Sequence, residues 1–241
     1  MNSIDPSEKI LAIDIGGSRI KATLLDMEAT LLMDYVRAQT PINANPNDTI
    51  KVILELTKDF KDYTKVSVGF PGYVKRGVVY TAVNLGTEEW KGFNLKKELS
   101  KVLKQPVRVI NDADMQGLGI AKGKGLEMVV TLGTGFGTAL LMDGILLPHL
   151  EVAHHPISKG RDYDDYIGKK ALEVVGIERW NKRMKKVIEI LKTVFNYDQL
   201  YISGGNAKKI SFKTDDNISL VSNIDGIKGG TRLWQEDHYN V

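Results

Sequence analysis

Two short segments rich in glycine, residues 14–18 and 131–137, have the residue types that bind phosphate, and we call them the first and the second glycine turn. Their candidate phosphate-binding residues are Asp14, Gly16 and Gly17 in the first turn, and Thr131, Gly133, Thr134, Gly135 and Gly137 in the second. Backbone N–H groups approach an anion closely where side chains are absent, so two such turns predict a site that holds a phosphate chain from two sides. Asp14 would bind Mg²⁺ there, directly or through water. Either turn alone is also typical of a plain connection between two strands.

A carboxylate with the chemistry of a general base follows another apolar segment. Asp112 comes soon after the apolar residues 107–110 and shortly before a predicted helix that begins near Met115. Catalytic groups lie at the ends of strands in α/β sheets, which favours Asp112 as the base of a proton transfer. The alternative is structural: asparagine and aspartate are preferred at the start of a helix, so Asn111 or Asp112 would be the helix cap.

A carboxylate and three imidazoles lie close together between residues 149 and 155, and two chemistries suit them. One is a metal site, but the chain has no cysteine and the histidine spacing matches no closed zinc site, so we expect no zinc. The other is a sugar site, since Glu151 accepts hydrogen bonds from hydroxyl groups and His154 donates or accepts them. Asn84 and Gly72 fit the same sugar site, although both are also typical of plain turns.

The elements that must position these residues follow from the apolar pattern. Apolar and β-branched runs interrupted by turn residues predict strands, whereas apolar residues spaced three and four apart predict helices. The predicted strands are 10–15, 20–25, 29–36, 66–70, 107–110 and 200–203, and the predicted helices are 50–60, 95–103, 163–175 and 177–195. The apolar stripe from Trp180 to Phe195 would pack in a core or on a dimer partner.

The second half of the chain repeats the pattern of the first. Residues 128–143 align with residues 11–26 without a gap, and the alignment places Gly133 on Gly16. Both segments have the order strand, glycine turn, strand, which favours an internal repeat. The sequence therefore predicts an α/β protein of two similar lobes that face each other. The predicted lobes are residues 1–124 and residues 125–241.

Composition excludes several classes of protein. The chain has 241 residues, of which 42% are hydrophobic and 26% charged, as in globular proteins and unlike collagen, coiled coils or disordered chains. No apolar run is long enough to span a membrane and the N-terminal residues are polar, so we expect a cytoplasmic location and no membrane contact. The net charge of +3 does not indicate a nucleic-acid partner, and we expect no helix-turn-helix ahead of the first strand.

Taken together, these segments resemble the ROK family of sugar kinases, and within it the polyphosphate glucokinase branch. The segments that carry the resemblance are IDIGGSRIKATLLD, GFPGYV, AVNLGTEEW, VINDADMQGLG, TLGTGFGTALL and YISGGNAKKI, which cover most of the chain. The resemblance implies two RNase H-like lobes of the actin-like ATPase type with a cleft between them. It also implies Mg²⁺-dependent transfer of a phosphoryl group to a hexose hydroxyl.

The resemblance also assigns roles to individual residues. It implies that Asp112 is the catalytic base that accepts the proton of the attacking hydroxyl. The sugar-binding residues that it implies are Gly72, Asn84, Asn111, Glu151 and His154. The phosphate-binding or nucleotide-binding residues that it implies are Asp14, Gly16, Gly17, Lys21, Thr131, Gly133, Thr134, Gly135, Gly137, Gly204 and Gly205.

Two departures from the family pattern bear on the substrate. Ala153 occupies the glycine position of the family's E-x-G-H motif, and we expect it to change the backbone beside the sugar and so the preference for glucose. The cysteine-rich zinc segment of many relatives is absent, as it is in the polyphosphate branch. The expected reaction transfers a terminal phosphoryl group from polyphosphate, ATP or both to the 6-hydroxyl of glucose or a related hexose, and the expected enzyme is a homodimer.

Three other functions remain open from the sequence. One is an interaction or scaffold protein of actin-like fold, which would not need the sugar-site segment. A sugar-binding regulator would keep this fold without catalysis, although the Asn111, Asp112, Ala113 segment argues against that reading. A kinase that uses ATP alone would act on another sugar, since ATP and polyphosphate present similar terminal phosphates.

Overall fold

The structure, a computed structural model, describes residues 8–42, 44–222 and 226–235. The chain forms two compact units. Unit 1 contains the chain up to Gly119 together with the segment that begins at Ile227, and unit 2 extends from Ile120 to Gly226. Each unit is built around one five-stranded mixed sheet, which confirms the predicted α/β class.

Unit 1 is a mixed sheet flanked by helices. Its elements are β1 (Ile10–Ile15), β2 (Arg19–Leu25), β3 (Val36–Gln39), α1 (Pro46–Thr57), β4 (Lys65–Phe70), β5 (Val74–Lys75), β6 (Val78–Val79), α2 (Thr87–Trp90), α3 (Leu95–Leu103), β7 (Val107–Asn111) and α4 (Asp112–Ile120). The strand order of its large sheet is β3-β2-β1-β4-β7. β1, β4 and β7 are parallel, whereas β2 and β3 are antiparallel to their neighbours. Every residue of β1 is fully buried except Asp14, so this strand is a central strand that exposes only its polar residue.

The third strand is shifted along the chain from the predicted residues 29–36, so that prediction was wrong. The Asp26 carboxylate accepts hydrogen bonds from the N–H groups of Glu28, at 3.0 Å, and Thr30, at 2.7 Å. Ala29 has a φ of 62°. These contacts form a tight turn, because aspartate bonds readily to the backbone two or more residues ahead. The strand that pairs with β2 is therefore Val36–Gln39.

Unit 2 has the same arrangement of strands as unit 1. Its elements are β8 (Leu126–Leu132), β9 (Phe136–Met142), β10 (Ile145–Leu146), a 3₁₀ turn (Val152–His154), β11 (Pro156–Ser158), β12 (Arg161–Asp162), α5 (Tyr163–Ile167), α6 (Lys169–Phe195), β13 (Gln199–Ser203), a second 3₁₀ turn (Ala207–Lys209) and β14 (Ile218–Leu220). The sheet order is β10-β9-β8-β13-β14, in which β8, β13 and β14 are parallel. The hairpin β8-β9 thus has the place in this sheet that β1-β2 has in the other, as the predicted repeat requires.

The long helix α6 belongs to the core of unit 2. Trp180, Met184, Val187 and Leu191 are each at most 1% exposed, so the apolar stripe packs inward rather than on a partner. Gly176 interrupts the helix with a φ of 74°, a conformation that glycine adopts without strain. Among the described residues, no helix has both the length and the apolar character needed to cross a lipid bilayer.

The last described helix, α7 (Gly229–Gln235), packs in unit 1, whereas the sequence analysis assigned this segment to the second lobe. Gly229 and Gly230 allow α7 to lie close to its neighbouring elements in unit 1. A Cβ atom at Gly229 would lie 1.8 Å from the Met115 carbonyl oxygen of α4, and one at Gly230 would lie 3.2 Å from Ala12 Cβ of β1. The Gly230 carbonyl also accepts a hydrogen bond from Ser67 Oγ of β4, at 2.6 Å.

A buried carboxylate organises the first loop of unit 2. Glu127 is 1% exposed, and it accepts hydrogen bonds from the backbone N–H groups of Lys122 and Gly123, both at 2.7 Å, and of Lys124, at 3.1 Å. It also accepts the Tyr201 hydroxyl at 3.0 Å. Burial and this bond raise the pKa of Tyr201 to about 12. The four donors satisfy the charge of Glu127 inside the unit.

Replacing Glu127 with alanine is expected to lower the free energy of unfolding by about 3 kcal/mol, because three backbone N–H groups lose a charged acceptor. The matched variant Tyr201→Phe removes one donor and should cost about 1 kcal/mol. Urea unfolding of both variants, followed by circular dichroism, measures the difference. Equal losses in the two variants would show that Glu127 does not hold the loop.

Candidate active site

The candidate residues of unit 1 lie at one edge of its sheet. The carboxyl ends of β1, β4 and β7 meet there, with Asp14 in register with Gly69 and Gly69 in register with Ile110. Asp112 is the residue immediately after β7. β1 and β7 are two strand spacings apart, about 10 Å, so the Asp14 and Asp112 backbones face each other across one strand. This edge is where open α/β sheets place ligands.

Asn111 is the side chain that caps α4. Its Oδ1 accepts the N–H groups of Ala113, at 2.8 Å, and Asp114, at 3.2 Å. Its Nδ2 donates to the Gly72 carbonyl at 3.2 Å. Asn111 is buried, whereas Asp112 is half-buried and its Oδ1 accepts the Ala113 N–H at 2.8 Å. The cap that the sequence left open between two residues therefore belongs mainly to Asn111.

Gly69 is a site residue that the sequence analysis missed. A Cβ atom there would lie 3.2 Å from Asp112 Cα and 2.8 Å from Met115 Cε, so glycine lets α4 begin close to β4. Its signal in the sequence was a glycine inside an apolar strand, which often marks a close backbone approach. Gly72 has a comparable packing role, since a Cβ atom there would lie 2.0 Å from the Thr81 carbonyl oxygen.

The first glycine turn contacts the Asn84 segment within unit 1. A Cβ atom at Gly17 would lie 3.1 Å from Asn84 Cβ, and Asn84 itself is exposed. Gly16 donates its N–H to the Arg19 carbonyl at 3.0 Å, and its own carbonyl accepts Thr40 Oγ1 at 2.6 Å. The turn is therefore a fixed structure that lies against one of the predicted sugar-site residues.

Asp14 and Lys21 form an ion pair across the hairpin β1-β2. They are register partners, and Lys21 Nζ lies 2.9 Å from Asp14 Oδ2. The Asp14 side chain is 13% exposed and that of Lys21 is 34% exposed. A partly exposed lysine beside a carboxylate at a sheet edge can contact an anion, while the carboxylate can contact a cation. Unit 1 thus brings together the predicted residues Asp14, Gly16, Gly17, Lys21, Gly72, Asn84, Asn111 and Asp112.

The second glycine turn connects β8 and β9 in unit 2. Thr131 is the register partner of Gly137, and Gly133 donates its N–H to the Gly135 carbonyl at 3.1 Å. A Cβ atom at Gly133 would have no heavy atom within 4 Å, so this position is open. The Thr134 carbonyl accepts a hydrogen bond from the Lys169 N–H at 3.1 Å, which links the turn to the start of α6.

Gly204 and Gly205 differ in their surroundings. Gly204 has a φ of 98°, and a Cβ atom there would lie 2.2 Å from the Leu132 carbonyl oxygen, so only glycine fits. A Cβ atom at Gly205 would have no neighbour within 4 Å. Asn206, which the sequence analysis did not select, donates its Nδ2 to the Gly133 carbonyl at 3.1 Å. This bond joins the predicted nucleotide-side segment to the second glycine turn.

The predicted sugar ligands of unit 2, Glu151 and His154, lie in one cluster with Asp162. His154 Nδ1 lies 3.6 Å from Asp162 Oδ2, and His154 Nε2 lies 3.9 Å from Glu151 Oε2. Ala153 is 8% exposed and does not have a positive φ, and its methyl group packs in the core of unit 2. Alanine is therefore accommodated here without a left-handed backbone, and its effect on the preference for glucose stays a prediction.

Asp164 also lies in this cluster, and the sequence analysis missed it. Burial is the main cause that raises its pKa above the usual 3.8, and the carboxylates of Asp162 and Glu151 raise it further. The hydrogen bond from the Phe136 N–H and the charge of His154 lower it, without cancelling the rise. A signal for this residue was available only as one aspartate among three in the segment RDYDD.

The raised pKa of Asp164 predicts a pH-dependent contribution to stability. The folded protein prefers the protonated carboxyl, so Asp164 is most favourable at or below about pH 4 and becomes less favourable as the pH rises through its folded pKa. The variant Asp164→Asn should therefore gain stability relative to the unchanged protein between about pH 4 and pH 7. Thermal unfolding of both proteins across this range measures it; a difference that is constant with pH would contradict the prediction.

Comparison with known proteins places these residues in a family context. Residues 10–150 match the ROK family. The chain is 34% identical to the polyphosphate glucokinase of Mycobacterium tuberculosis (strain ATCC 25618 / H37Rv) over 223 residues, which covers 88% of this chain and 81% of that protein. It is also 34% identical to the polyphosphate glucokinase of Mycobacterium leprae (strain TN), of which it spans 66%.

A solved structure supports the same relationship. The inorganic polyphosphate/ATP-glucomannokinase of Arthrobacter sp. strain KM superposes with a TM-score of 0.85 at 28% identity. The match covers 93% of this chain and 97% of that one. This likeness confirms the expected actin-like ATPase fold, which contains two α/β units.

Proposed function

The chain belongs to the ROK family, and from this membership we propose that it is a sugar kinase that transfers a terminal phosphoryl group from polyphosphate, ATP or both to the 6-hydroxyl of glucose or a related hexose. One observation carries the proposal. Asp112 lies half-buried at the carboxyl edge of the unit 1 sheet, at the same edge as Asp14 and the first glycine turn, while Asn111 provides the cap of α4.

Asp112 is the proposed catalytic base. Its carboxylate accepts the proton of the sugar 6-hydroxyl as that oxygen attacks the terminal phosphorus atom, and the bond to the bridging oxygen of the donor breaks. Such a base must be held firmly, and Asp112 begins a helix that Asn111 caps and that Gly69 allows to lie against β4. The proposed sugar contacts of unit 1 are Asn84, Asn111 and the Gly72 turn, and the proposed sugar contacts of unit 2 are Glu151 and His154.

Each unit has its own proposed contacts to the phosphoryl donor, and in unit 1 these include the side chain of Lys21. The first turn contributes Gly16 and Gly17, and the other proposed phosphate contacts are Thr131, Gly133, Thr134, Gly135, Gly137, Gly204 and Gly205. The amides of Gly16, Gly133 and Phe136 already donate within the protein, so the N–H groups offered to the phosphates come from other residues of the turns. Gly16 and Gly133 are proposed because a missing side chain lets the phosphates approach the backbone. Fixed amide dipoles of this kind stabilise the charge that develops on the transferred group.

Asp14 is the proposed ligand of Mg²⁺. In the described part of the chain, no three carboxylate or imidazole groups converge as a closed metal cage would. A single carboxylate fits Mg²⁺ nevertheless, because this ion usually keeps water and substrate phosphate oxygens as its other ligands. When bound, Mg²⁺ neutralises charge on the donor phosphates. Lys21, which pairs with Asp14, adds a positive charge at the same edge.

A substrate panel tests the proposal. Purified protein with Mg²⁺ is incubated with glucose, mannose and other hexoses, and with either ATP or polyphosphates of defined chain length. We expect hexose 6-phosphate, detected by mass spectrometry, with at least one donor. Hexose binding without transfer from either donor would instead indicate the sugar-binding regulator. Activity with ATP alone would exclude polyphosphate as the donor, and gel filtration of the same sample tests the proposed homodimer.

A further inference from the structure

Asp164 lies in α5 and fits closely against the second glycine turn. Its Oδ1 accepts the Phe136 N–H at 2.7 Å. A Cβ atom at Gly135 would lie 2.6 Å from one carboxylate oxygen of Asp164 and 2.7 Å from the other. A methyl group at position 135 would therefore have to displace the carboxylate, so the two residues fit together with glycine there.

The residues next to Asp164 hold the same turn. The Tyr163 ring stacks on the Phe136 ring with centroids 5.1 Å apart. The Asp164 carbonyl accepts the Gly168 N–H at 2.9 Å, and the following residue, Lys169, donates its N–H to the Thr134 carbonyl at 3.1 Å. Three consecutive residues of the turn are thus held by α5 and the first residue of α6.

Electrostatic attraction to the phosphoryl donor does not explain why a carboxylate lies beside the second glycine turn. A carboxylate beside a turn that binds an anion repels that anion, and the neighbouring Asp162 and Glu151 add to the negative charge, while His154 offsets part of it. The contribution of Asp164 to donor binding must therefore be geometric, through the hydrogen bond that it accepts and the space that it fills.

We propose that Asp164 is a positioning residue for the phosphoryl donor: by accepting the Phe136 N–H, it fixes the second glycine turn in the conformation that binds the donor phosphates. This inference rests on the proposed function of that turn. The charges of His154 and Glu151 act on the Asp164 carboxyl, so it lies near the proposed sugar contacts of unit 2 as well as beside the second glycine turn.

The test compares Asp164→Ala with Asp164→Asn. Asparagine keeps a carbonyl oxygen in place of Oδ1, whereas alanine removes the acceptor. The exposed neighbour Asp165, in the variants Asp165→Ala and Asp165→Asn, is the matched control. Calorimetry gives the Kd of inorganic tripolyphosphate, and steady-state assays give kcat and the KM values for donor and hexose.

We expect Asp164→Ala to weaken tripolyphosphate binding and raise the donor KM by about 10- to 100-fold, because a small misplacement of binding groups has effects of this size. The hexose KM should change by less than about threefold, and Asp164→Asn should restore the donor KM to within about threefold. A general loss of structure would not separate the donor from the hexose in this way. Both Asp165 variants should behave as the unchanged protein does.

Two results would overturn the inference: an unchanged donor KM and tripolyphosphate Kd in Asp164→Ala, or equal losses in the alanine and asparagine variants. If Asp164→Ala does not fold, Gly135→Ala disrupts the same contact, since its methyl group displaces the Asp164 carboxylate. It should weaken tripolyphosphate binding similarly, and unchanged binding would contradict the inference. An unchanged protein that binds tripolyphosphate without transferring phosphate would contradict the proposed function alone.

Discussion

Replacing Asp112 with asparagine is expected to lower kcat by about two to four orders of magnitude while hexose binding is largely retained. Asparagine has nearly the same shape but does not accept the proton of the attacking hydroxyl. The cap of α4 is retained, because Asn111 accepts the N–H groups of Ala113 and Asp114. The effect should therefore appear in the rate of transfer and not in folding. Stopped-flow or steady-state measurement of kcat, together with hexose titration by calorimetry, separates the two quantities.

The matched control for this prediction is Asp59→Asn, an exposed aspartate of the same unit that lies outside the candidate site. It should have the kcat of the unchanged protein. A kcat for Asp112→Asn within about threefold of the unchanged value would remove Asp112 as the base, since a positioned base contributes at least about a hundredfold. The reaction would then need another acceptor for the proton.

Replacing Gly229 with alanine is expected to lower the free energy of unfolding by about 3 kcal/mol and kcat by about a hundredfold. The new methyl carbon would lie 1.8 Å from the Met115 carbonyl oxygen and 2.7 Å from the Gly119 nitrogen. Both atoms belong to the backbone of α4, which yields only if the helix or α7 moves. Because α4 begins with Asp112, a displaced helix misplaces the proposed base.

Gly205→Ala is the matched control for stability, because a Cβ atom at that position has no neighbour within 4 Å. It should change the free energy of unfolding by less than about 1 kcal/mol. Urea unfolding measures both variants, and kcat is compared at a temperature at which the Gly229 variant is folded. Unchanged stability and kcat in Gly229→Ala would contradict the close packing of α7 on α4.

The sequence predicted well those features that depend on local pattern. Glycine turns after apolar strands mark the hairpins β1-β2 and β8-β9, and the repeat between them predicts two similar sheets. The prediction of the third strand was wrong, because the side chain of Asp26 forms a turn that the apolar pattern does not reveal. The assignment of the C-terminal segment also differed, since nothing local shows that Gly229 and Gly230 fit against α4 and β1.

The α/β class and the repeated hairpin follow from the amino-acid sequence alone. Both depend on short-range spacing within one strand, turn or helix and need no contact with the rest of the chain, whereas Lys21, Gly204 and Gly205 were predicted from the family resemblance. Only folding brings together the groups by which Asn111 caps α4, Lys21 pairs with Asp14, and Asp164 accepts a hydrogen bond from the second glycine turn. Such contacts depend on which segments pack together, because a hydrogen bond or ion pair forms only between groups that folding brings within about 3 Å.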